Sequence, residues 1–344
     1  MKKFLLIILA LALFGGGFAA WKFFGPAINT SQGEFLYVPT GAAPKQLRDS
    51  LLAGKHLSGT YWFDLTARIL KFDNARPGRY RLKEGMSVFQ LVRMLRSGRQ
   101  EPVNFVITRF RTREDFARRA CRQFEFDSLQ MISFLNNRDS LARYGFDTST
   151  VIAALMPYTY SLNWNSTPRQ LFDRCYAAYT RFWTAERKSK ADSLGLSPVE
   201  VVTIASIIEE ETNFGPEKPN MASVYLNRVR KGMPLQADPT LKFALRDFSL
   251  RRILNVHKGA VSPYNTYMHK GIPPGPICTP SVESIEAVLN APQTEYLYFV
   301  ASSNFDGSHI FTTSYEDHLK YATEYQQALN RRWDSLSRSK PQQP

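Results

Sequence analysis

Cysteine and histidine are scarce in this sequence, which has three cysteines and five histidines among 344 residues. The cysteines Cys121, Cys175 and Cys278 are odd in number, widely spaced and outside any C-x-x-C pattern. They therefore indicate neither a disulfide framework nor a zinc site, and we expect buried free thiols. Apart from His309, the histidines have no ligand spacing to one another or to an acid. The sequence predicts no metal and no cofactor.

Long uncharged stretches are also rare, and only one approaches membrane-spanning length. It runs from Phe4 to Trp21 between flanking lysines, which is close to the roughly 20 apolar residues that a bilayer requires. A small-residue sequence that ends at Ala19 loosely resembles a cleavage site, but the unbroken length favours a retained helix. A lysine-bearing start on the inside would place the remaining chain outside the cytoplasmic (inner) membrane, behind a single-pass anchor.

Acidic residues are too few to balance the basic ones. Lys and Arg number 44 against 30 Asp and Glu, and the formal net charge is +14. Such a charge suits nucleic acid, an anionic membrane surface or an anionic polymer equally well. The basic residues are scattered through amphipathic segments such as Arg111 to Arg122, which disfavours binding to nucleic acid.

Two segments of the chain repeat one another at an offset of 44 residues. Each copy places an apolar strand-like run before a glycine turn and a helix that stops at glycine. This α+β pattern resembles a LysM module, which implies binding to N-acetylglucosamine polymers; a spacer that holds the rest of the chain off the membrane is the alternative. The repeated positions are Gly41, Leu47, Leu51 and Gly54 in the first copy, and Gly85, Leu91, Leu95 and Gly98 in the second.

The remainder predicts helices from Thr112 to Lys190, and a β-hairpin from Tyr296–Ala301 and Ser308–Thr312. The expected fold class is α+β, with an N-terminal transmembrane helix, a small LysM-like module, and a mixed helical and β-hairpin domain. The expected boundaries are 1–24 for the anchor, 25–35 for a polar linker, 36–106 for the module, 107–335 for the second domain, and 336–344 for a disordered tail.

One predicted helix runs directly into three carboxylates. Ser197 to Glu200 form a capping box with proline at the first helical position, and the residues up to Ile208 are too apolar for a surface helix. Glu209, Glu210 and Glu211 follow. Either one carboxylate is functional, or the helix merely reaches the surface there.

Helix geometry separates these three acids, because successive residues turn by roughly 100°. Glu209 lies over the small residues Ala205 and Ser206, which would leave room for a cleft. A carboxyl beside an apolar helix is expected to have a raised pKa, as a general acid near neutral pH requires. Helix geometry alone does not choose among the three acids.

The same helix carries the first of several motifs that resemble the endolytic murein transglycosylase, or YceG-like, family. The motifs follow the family's order and, with the anchor and the LysM-like module, cover almost the whole chain. Two departures are Glu210, where Lys or Arg is common, and a segment from Ile152 to Tyr160 that lacks the usual acids. The motifs are Ala205 to Thr212, Ala222 to Arg228, Leu235 to Thr240, Ser262 to Tyr267, Gly271 to Ile277, Tyr296 to Val300, and His309 to Phe311.

The resemblance implies an endolytic peptidoglycan lytic transglycosylase, a lyase that cleaves the bond between N-acetylmuramic acid and N-acetylglucosamine in nascent glycan strands. It implies Glu209 as the catalytic acid and then base, and Glu211 as a supporting residue. One carboxyl suffices for this reaction because the muramic acid 6-hydroxyl closes on its own anomeric carbon and leaves a 1,6-anhydro end. The implied partners are peptidoglycan glycan strands, the membrane through the N-terminal helix, and cell-wall synthases as candidates.

Polar and aromatic residues of the later motifs are candidates for a sugar-binding cleft, because they offer hydrogen-bonding groups and flat rings in turns. Holding those turns together is the alternative, and His309 either lines the site or packs in the core. Two other functions stay open: a non-catalytic peptidoglycan-binding scaffold for cell-wall synthases, and a lysozyme-type hydrolase with Asp238 as a second carboxylate. The candidates are Glu211, Gln236, Asp238, Tyr264, Asn265, Thr266, Tyr267 and His309.

Overall fold

The computed structural model describes residues 2–338. They form two compact units, one of residues 2–105 with Ala120–Asp127 and Tyr160–Leu171, the other of Val106–Arg119, Ser128–Thr159 and the chain from Phe172 onward. Helices with short two-stranded sheets confirm the α+β class. The predicted tail lies outside the described residues, except for 336–338, which belong to the last helix.

The first unit holds the N-terminal helix and the repeated segments. In the described part of the chain, α1 is the one continuous helix long and apolar enough to cross a membrane. Strands β1 and β2 pair antiparallel, with Leu36 opposite Tyr80. The elements are α1 (Lys2–Phe24), β1 (Phe35–Val38), α2 (Pro44–Ala53), α3 (Tyr61–Ile69), β2 (Gly78–Arg81) and α4 (Val88–Ser97).

The repeat predicted both helices of this unit, because its leucines form their buried faces. Leu47 and Leu51 of α2, like Leu91 and Leu95 of α4, are buried in one core. Both helices end where glycine was expected; at the end of α4 the Gly98 backbone has a φ of 69°, which favours glycine. Helix α3, between the two copies, was not predicted. The likeness to a LysM module stays a prediction.

The second unit is built around α10 (Pro198–Glu211). Its start is confirmed: Ser197 Oγ accepts a hydrogen bond from the Glu200 amide, and the Glu200 side chain accepts one from the Ser197 amide. Residues 201–208 are fully buried, and the helix packs against the next three α-helices of the chain. The predicted hairpin is also confirmed, with Tyr298 opposite Thr312.

The remaining bounds follow in chain order. Strands β3 (Val103–Val106) and β4 (Thr159–Leu162) pair with each other. The other elements are α5 (Arg113–Ala120), α6 (Ser128–Asn136), α7 (Arg138–Ala142), α8 (Pro168–Phe182), α9 (Ala185–Ser193), α10 (Pro198–Glu211), α11 (Lys218–Arg230), α12 (Asp238–Leu245), α13 (Val282–Leu289), β5 (Tyr298–Ala301), β6 (His309–Thr312) and α14 (Tyr315–Arg338).

Candidate active site

Glu209 lies in the last turn of α10, and its carboxylate faces the N-terminus of α13. Its Oε2 accepts hydrogen bonds from Ser281 Oγ and Ser284 Oγ, both at 2.6 Å, and from the Ser281 amide at 3.3 Å. The ammonium group of the buried Lys218 lies 3.3 Å from the same oxygen. Oε1 has no hydrogen-bond partner among residues 2–338, and the side chain is 16% exposed. One oxygen is fixed and the other is open.

These contacts overturn the expectation of a raised pKa for Glu209. Burial is the largest single influence and does raise the pKa, as expected. The hydrogen bonds from Ser281 and Ser284 and the charge of Lys218 together outweigh it, so the pKa lies below its ordinary value. The helix N-terminus at Ser281 acts in the same direction, because it favours a negative charge.

The small residues beneath Glu209 do not leave a cleft, so that interpretation was wrong. Ser206 is completely buried, and its Oγ accepts a hydrogen bond of 3.0 Å from the Ile277 amide. The Cys278 thiol points at the Ser206 carbonyl oxygen, 3.5 Å away. A small side chain at Ser206 therefore lets the backbone that leads to Ser281 pass against α10. Cys278 and Cys175 are buried thiols as predicted, whereas Cys121 is only partly buried.

Glu210 is neutralised by two arginines of the segment before α5. Arg111 donates hydrogen bonds to both carboxylate oxygens, the shortest at 2.7 Å, and Arg109 lies 3.7 Å from the same carboxylate. Arg109 also donates to the backbone carbonyl of Glu209 at 3.0 Å and so caps the end of α10. Glu210 is only 12% exposed, and its contacts are those of a structural ion pair.

Glu211 belongs to a third environment, made by α11, α12 and the turn before Met268. Its Oε1 accepts a hydrogen bond of 3.0 Å from the Tyr225 hydroxyl. Asp238 accepts one of 2.6 Å from the Tyr267 hydroxyl. Burial, and to a smaller extent the nearby charge of Asp238, raise the pKa of Glu211 to about 7, against the effect of Tyr225. Glu211 therefore has the raised pKa that the sequence predicted for Glu209.

The raised pKa of Glu211 predicts a pH-dependent stability. Because the native state holds this proton more tightly than the unfolded chain, the stabilisation is complete below the ordinary value of 4.5 and is lost as pH rises through about 7. Glu211→Gln lacks this proton, so at pH 8 it should unfold at a higher temperature than the wild type. The free energy of unfolding of the variant, relative to that of the wild type, should be on the order of 3 kcal/mol higher at pH 8 than at pH 4. Thermal unfolding monitored by circular dichroism at several pH values measures this difference. The exposed control Glu186→Gln should show no such trend, and a flat difference for Glu211→Gln would refute the assignment.

The other predicted residues divide into buried and accessible ones. Asn265 is fully buried and donates to the Lys258 and Ala260 carbonyls, while Thr266 Oγ1 accepts from the Ala237 amide. These contacts hold the turn together. Gln236 is exposed and has a φ of 52°, a conformation that non-glycine residues rarely adopt. Tyr264 packs on the Phe243 ring at 4.6 Å.

His309 is bound to an acid that the sequence did not single out. Its Nδ1 lies 2.9 Å from Glu217 Oε2, and its backbone amide donates to Glu217 Oε1 at 2.7 Å. The ring meets Phe299 edge to face at 5.6 Å. These contacts tie β6 to the start of α11 and favour the packing interpretation of His309. Glu217 also places the adjacent Lys218 at the end of α10.

Sequence reasoning missed the groups that hold Glu209: Lys218, Ser281 and Ser284. A signal existed, because Pro280-Ser281 followed by Ser284 is a helix start, and helix starts bind anions. Nothing local connects that start with Glu209, which lies 72 residues away from Ser281 in the sequence. Asp238 shares no hydrogen bond or ion pair with Glu209 in the described chain; it lies with Glu211 and Tyr267 instead.

Comparison with known proteins agrees with the motifs. A model of the YceG-like family matches residues 36–324. The endolytic murein transglycosylase of Bacillus subtilis is 27% identical over 311 residues, 85% of each chain. That of Streptococcus pneumoniae is 25% identical over 93% of this chain, which spans only 64% of that protein's length. The crystal structure of a YceG-like protein from Listeria monocytogenes has the same fold, with a TM-score of 0.57 at 24% identity, and the match covers 83% of this chain and 97% of that one. Since the family model covers well over half of its residues, this chain belongs to the YceG-like family.

Proposed function

We propose that this protein is an endolytic lytic transglycosylase of peptidoglycan, with Glu209 as its single catalytic acid and base. The names of its Bacillus and Streptococcus relatives support the reaction. The observation that carries the role of Glu209 is its asymmetric carboxylate, with Oε2 held by Ser281, Ser284 and Lys218 and Oε1 open. An acid that must give and then take back one proton needs a fixed direction and one accessible oxygen.

In the proposed reaction, protonated Glu209 Oε1 donates its proton to the oxygen that links N-acetylmuramic acid to N-acetylglucosamine. The bond between that oxygen and the anomeric carbon breaks, and the N-acetylglucosamine hydroxyl leaves. The resulting carboxylate then accepts the proton of the muramic acid 6-hydroxyl, while the oxygen of that hydroxyl bonds to the anomeric carbon. The proton returns to Glu209, no water is consumed, and the product is a 1,6-anhydro end.

The lowered pKa of Glu209 suits the second step directly, because its ionised form is the base. The first step needs the protonated form, which a bound glycan would favour by covering Oε1 and excluding water from the remaining exposed side of the carboxyl. In the free enzyme, the protonated fraction grows as pH falls. We therefore expect kcat/KM to rise as pH falls from 8 to 5, by up to about tenfold per pH unit.

Lys218 provides a test of this account. Replacing it with glutamine removes a positive charge 3.3 Å from Glu209 Oε2 and should raise the pKa of Glu209. The fall of kcat/KM with pH should then begin at a higher pH than in the wild type, so the activity ratio of variant to wild type increases from pH 5 to pH 8. Lys242→Gln is the matched control, since Lys242 acts on Glu211 and not on Glu209. An identical pH profile for Lys218→Gln and the wild type would contradict the role of Lys218.

Mass analysis of products from purified sacculi tests the function as a whole. 1,6-Anhydro ends identify a lyase. Reducing ends would identify a hydrolase, which the position of Asp238 beside Glu211 and Tyr267 does not favour. No product would identify a non-catalytic scaffold. Gln236, Tyr264 and Tyr267 are our candidates for sugar contacts, because each remains at least partly exposed in the motif turns.

Location follows from the N-terminal helix. We propose that α1 is retained as a single-pass anchor in the cytoplasmic membrane, with the remaining chain outside, where nascent glycan strands are found. The length and apolar character of α1 support an anchor, and its lysine-bearing start supports this orientation. Binding of glycan by the LysM-like module, and partnership with cell-wall synthases, extend this proposal.

A further inference from the structure

The last turns of α1 pack against the first unit through aromatic rings. The Trp62 ring of α3 meets Phe23 at 5.4 Å and Phe18 at 6.1 Å between ring centroids. The Phe24 ring lies 5.1 Å from Phe89 of α4. Helix α1 therefore continues into contact with the folded module before it ends.

The residues directly after α1 are hydrogen-bonded to the module. The amides of Ala27 and Ile28 both lie within hydrogen-bonding distance of the Met86 carbonyl, and the Gly85 amide donates to the Ile28 carbonyl. Ile28 is 2% exposed and belongs to the same core as the α2 and α4 leucines. The segment predicted as a polar linker thus contributes to the core and joins α1 firmly to the module.

The length of α1 indicates how deep these contacts lie in the bilayer. Its 23 residues extend about 34 Å, and the hydrocarbon core of a bilayer is about 30 Å thick. A helix that spans this core ends close to the outer interface. Phe18 lies about 9 Å deeper along the axis than Phe24. Because Trp62 packs on both Phe18 and Phe23, it lies within the interfacial layer, where Trp and Tyr are enriched in membrane proteins.

The start of α3 has the surface that such a position requires. Tyr61 is 70% exposed and Phe24 is 65% exposed, although both are large and aromatic. Tyr61 meets Trp62 edge to face at 5.3 Å. A tyrosine ring can lie among lipid chains while its hydroxyl stays in the hydrated headgroup layer.

We propose that the first unit rests on the outer surface of the bilayer, with Tyr61 and Trp62 inserted in the interfacial layer beside α1. The partner is a phospholipid bilayer, and the contact continues the surface of the transmembrane helix. The module then contacts the membrane itself instead of acting as a spacer. This inference rests on the proposed membrane anchor.

Depth-dependent fluorescence quenching of the full-length protein in phospholipid vesicles tests the proposal. A Cys121→Ser background leaves Cys175 and Cys278, which are buried, and a single cysteine is then introduced and labelled with an environment-sensitive nitrobenzoxadiazole dye. At position 61, we expect blue-shifted emission and at least twofold stronger quenching by lipids with a nitroxide near the headgroup than at position 37. Tyr37 is the matched control because it is an exposed aromatic residue of the same unit that packs on Trp164.

A third label separates this inference from the proposed anchor. Phe14 is 79% exposed on α1 and lies about 15 Å from Phe24 along the axis, so a label at position 14, measured with lipids that carry the nitroxide deep in the acyl chain, reports only whether the helix is in the bilayer. Quenching at 14 and at 61, but not at 37, supports the proposal. Quenching at 14 with none at 61 would overturn the contact of the module with the membrane and leave the anchor in place. No quenching at 14 would overturn the anchor and this inference together.

Discussion

Replacing Glu209 with glutamine is expected to abolish the formation of 1,6-anhydro ends while the protein remains folded. Glutamine keeps the size of the side chain and an oxygen that accepts hydrogen bonds from Ser281 and Ser284, but it can neither donate nor accept the transferred proton. General acid and base catalysis each contribute about 10²–10⁴-fold, and in the proposed reaction one group performs both steps. We therefore expect a loss of at least about 10³-fold, measured by mass analysis of sacculi products.

Glu283→Gln is the matched control, because Glu283 contacts the same Lys218 at 2.9 Å but is 63% exposed. It should retain most of the activity, and both variants should unfold within a few degrees of the wild type. Full activity of Glu209→Gln would remove Glu209 from the mechanism. Loss of activity together with loss of folded structure would be resolved with Glu209→Asp, which keeps the charge and should recover part of the stability.

The sequence predicted what short-range interactions determine. The start of α10 was correct because Ser197 and Glu200 are three residues apart and satisfy each other's backbone groups. The repeated leucines likewise identified α2 and α4, because each helix buries its own i and i+4 residues. Periodicity and capping act within a few residues, so they can be read without knowledge of the rest of the chain.

The site depended on contacts that no local pattern reveals. Helix geometry correctly separated Glu209, Glu210 and Glu211, but their partners Ser281, Arg111 and Asp238 lie about 70, 100 and 30 residues away in the sequence, respectively. Those partners reversed the expectation for Glu209, since its pKa is lowered, while the pKa of Glu211 is raised. Burial against an apolar helix was a correct physical premise for both acids. The hydrogen bonds from Ser281 and Ser284 decided the outcome for Glu209.

The segment that brings Ser281 to Glu209 is itself positioned by a close backbone contact at Gly275. A Cβ atom added to Gly275 would lie 2.1 Å from the carbonyl oxygen and 2.8 Å from the carbonyl carbon of Ser149. These are backbone atoms just before a short helical turn whose residues, 151–154, are all buried. Neither side of the contact can therefore move away at small cost.

Gly275→Ala should consequently destabilise the protein by about 3 kcal/mol or more, at the upper end of the range for overpacked sites. The displacement should also pass along the chain, because Ile277 donates to Ser206 and Thr279 pairs with Phe110 before Ser281 reaches Glu209. We expect lower activity even at temperatures where the variant is folded. Urea unfolding and product analysis at low temperature measure the two effects.

Gly259→Ala separates this contact from a general effect of removing glycine. No heavy atom lies within 4 Å of a Cβ added at Gly259, so this variant should be as stable and as active as the wild type. If Gly275→Ala lost stability but kept full activity, the segment from 275 to 281 would have to shift at one end without moving Ser281. Alternatively, Ser281 would move, and Lys218 and Ser284 alone would suffice to hold Glu209 Oε2; a Ser281→Ala variant with unchanged activity would confirm that second case.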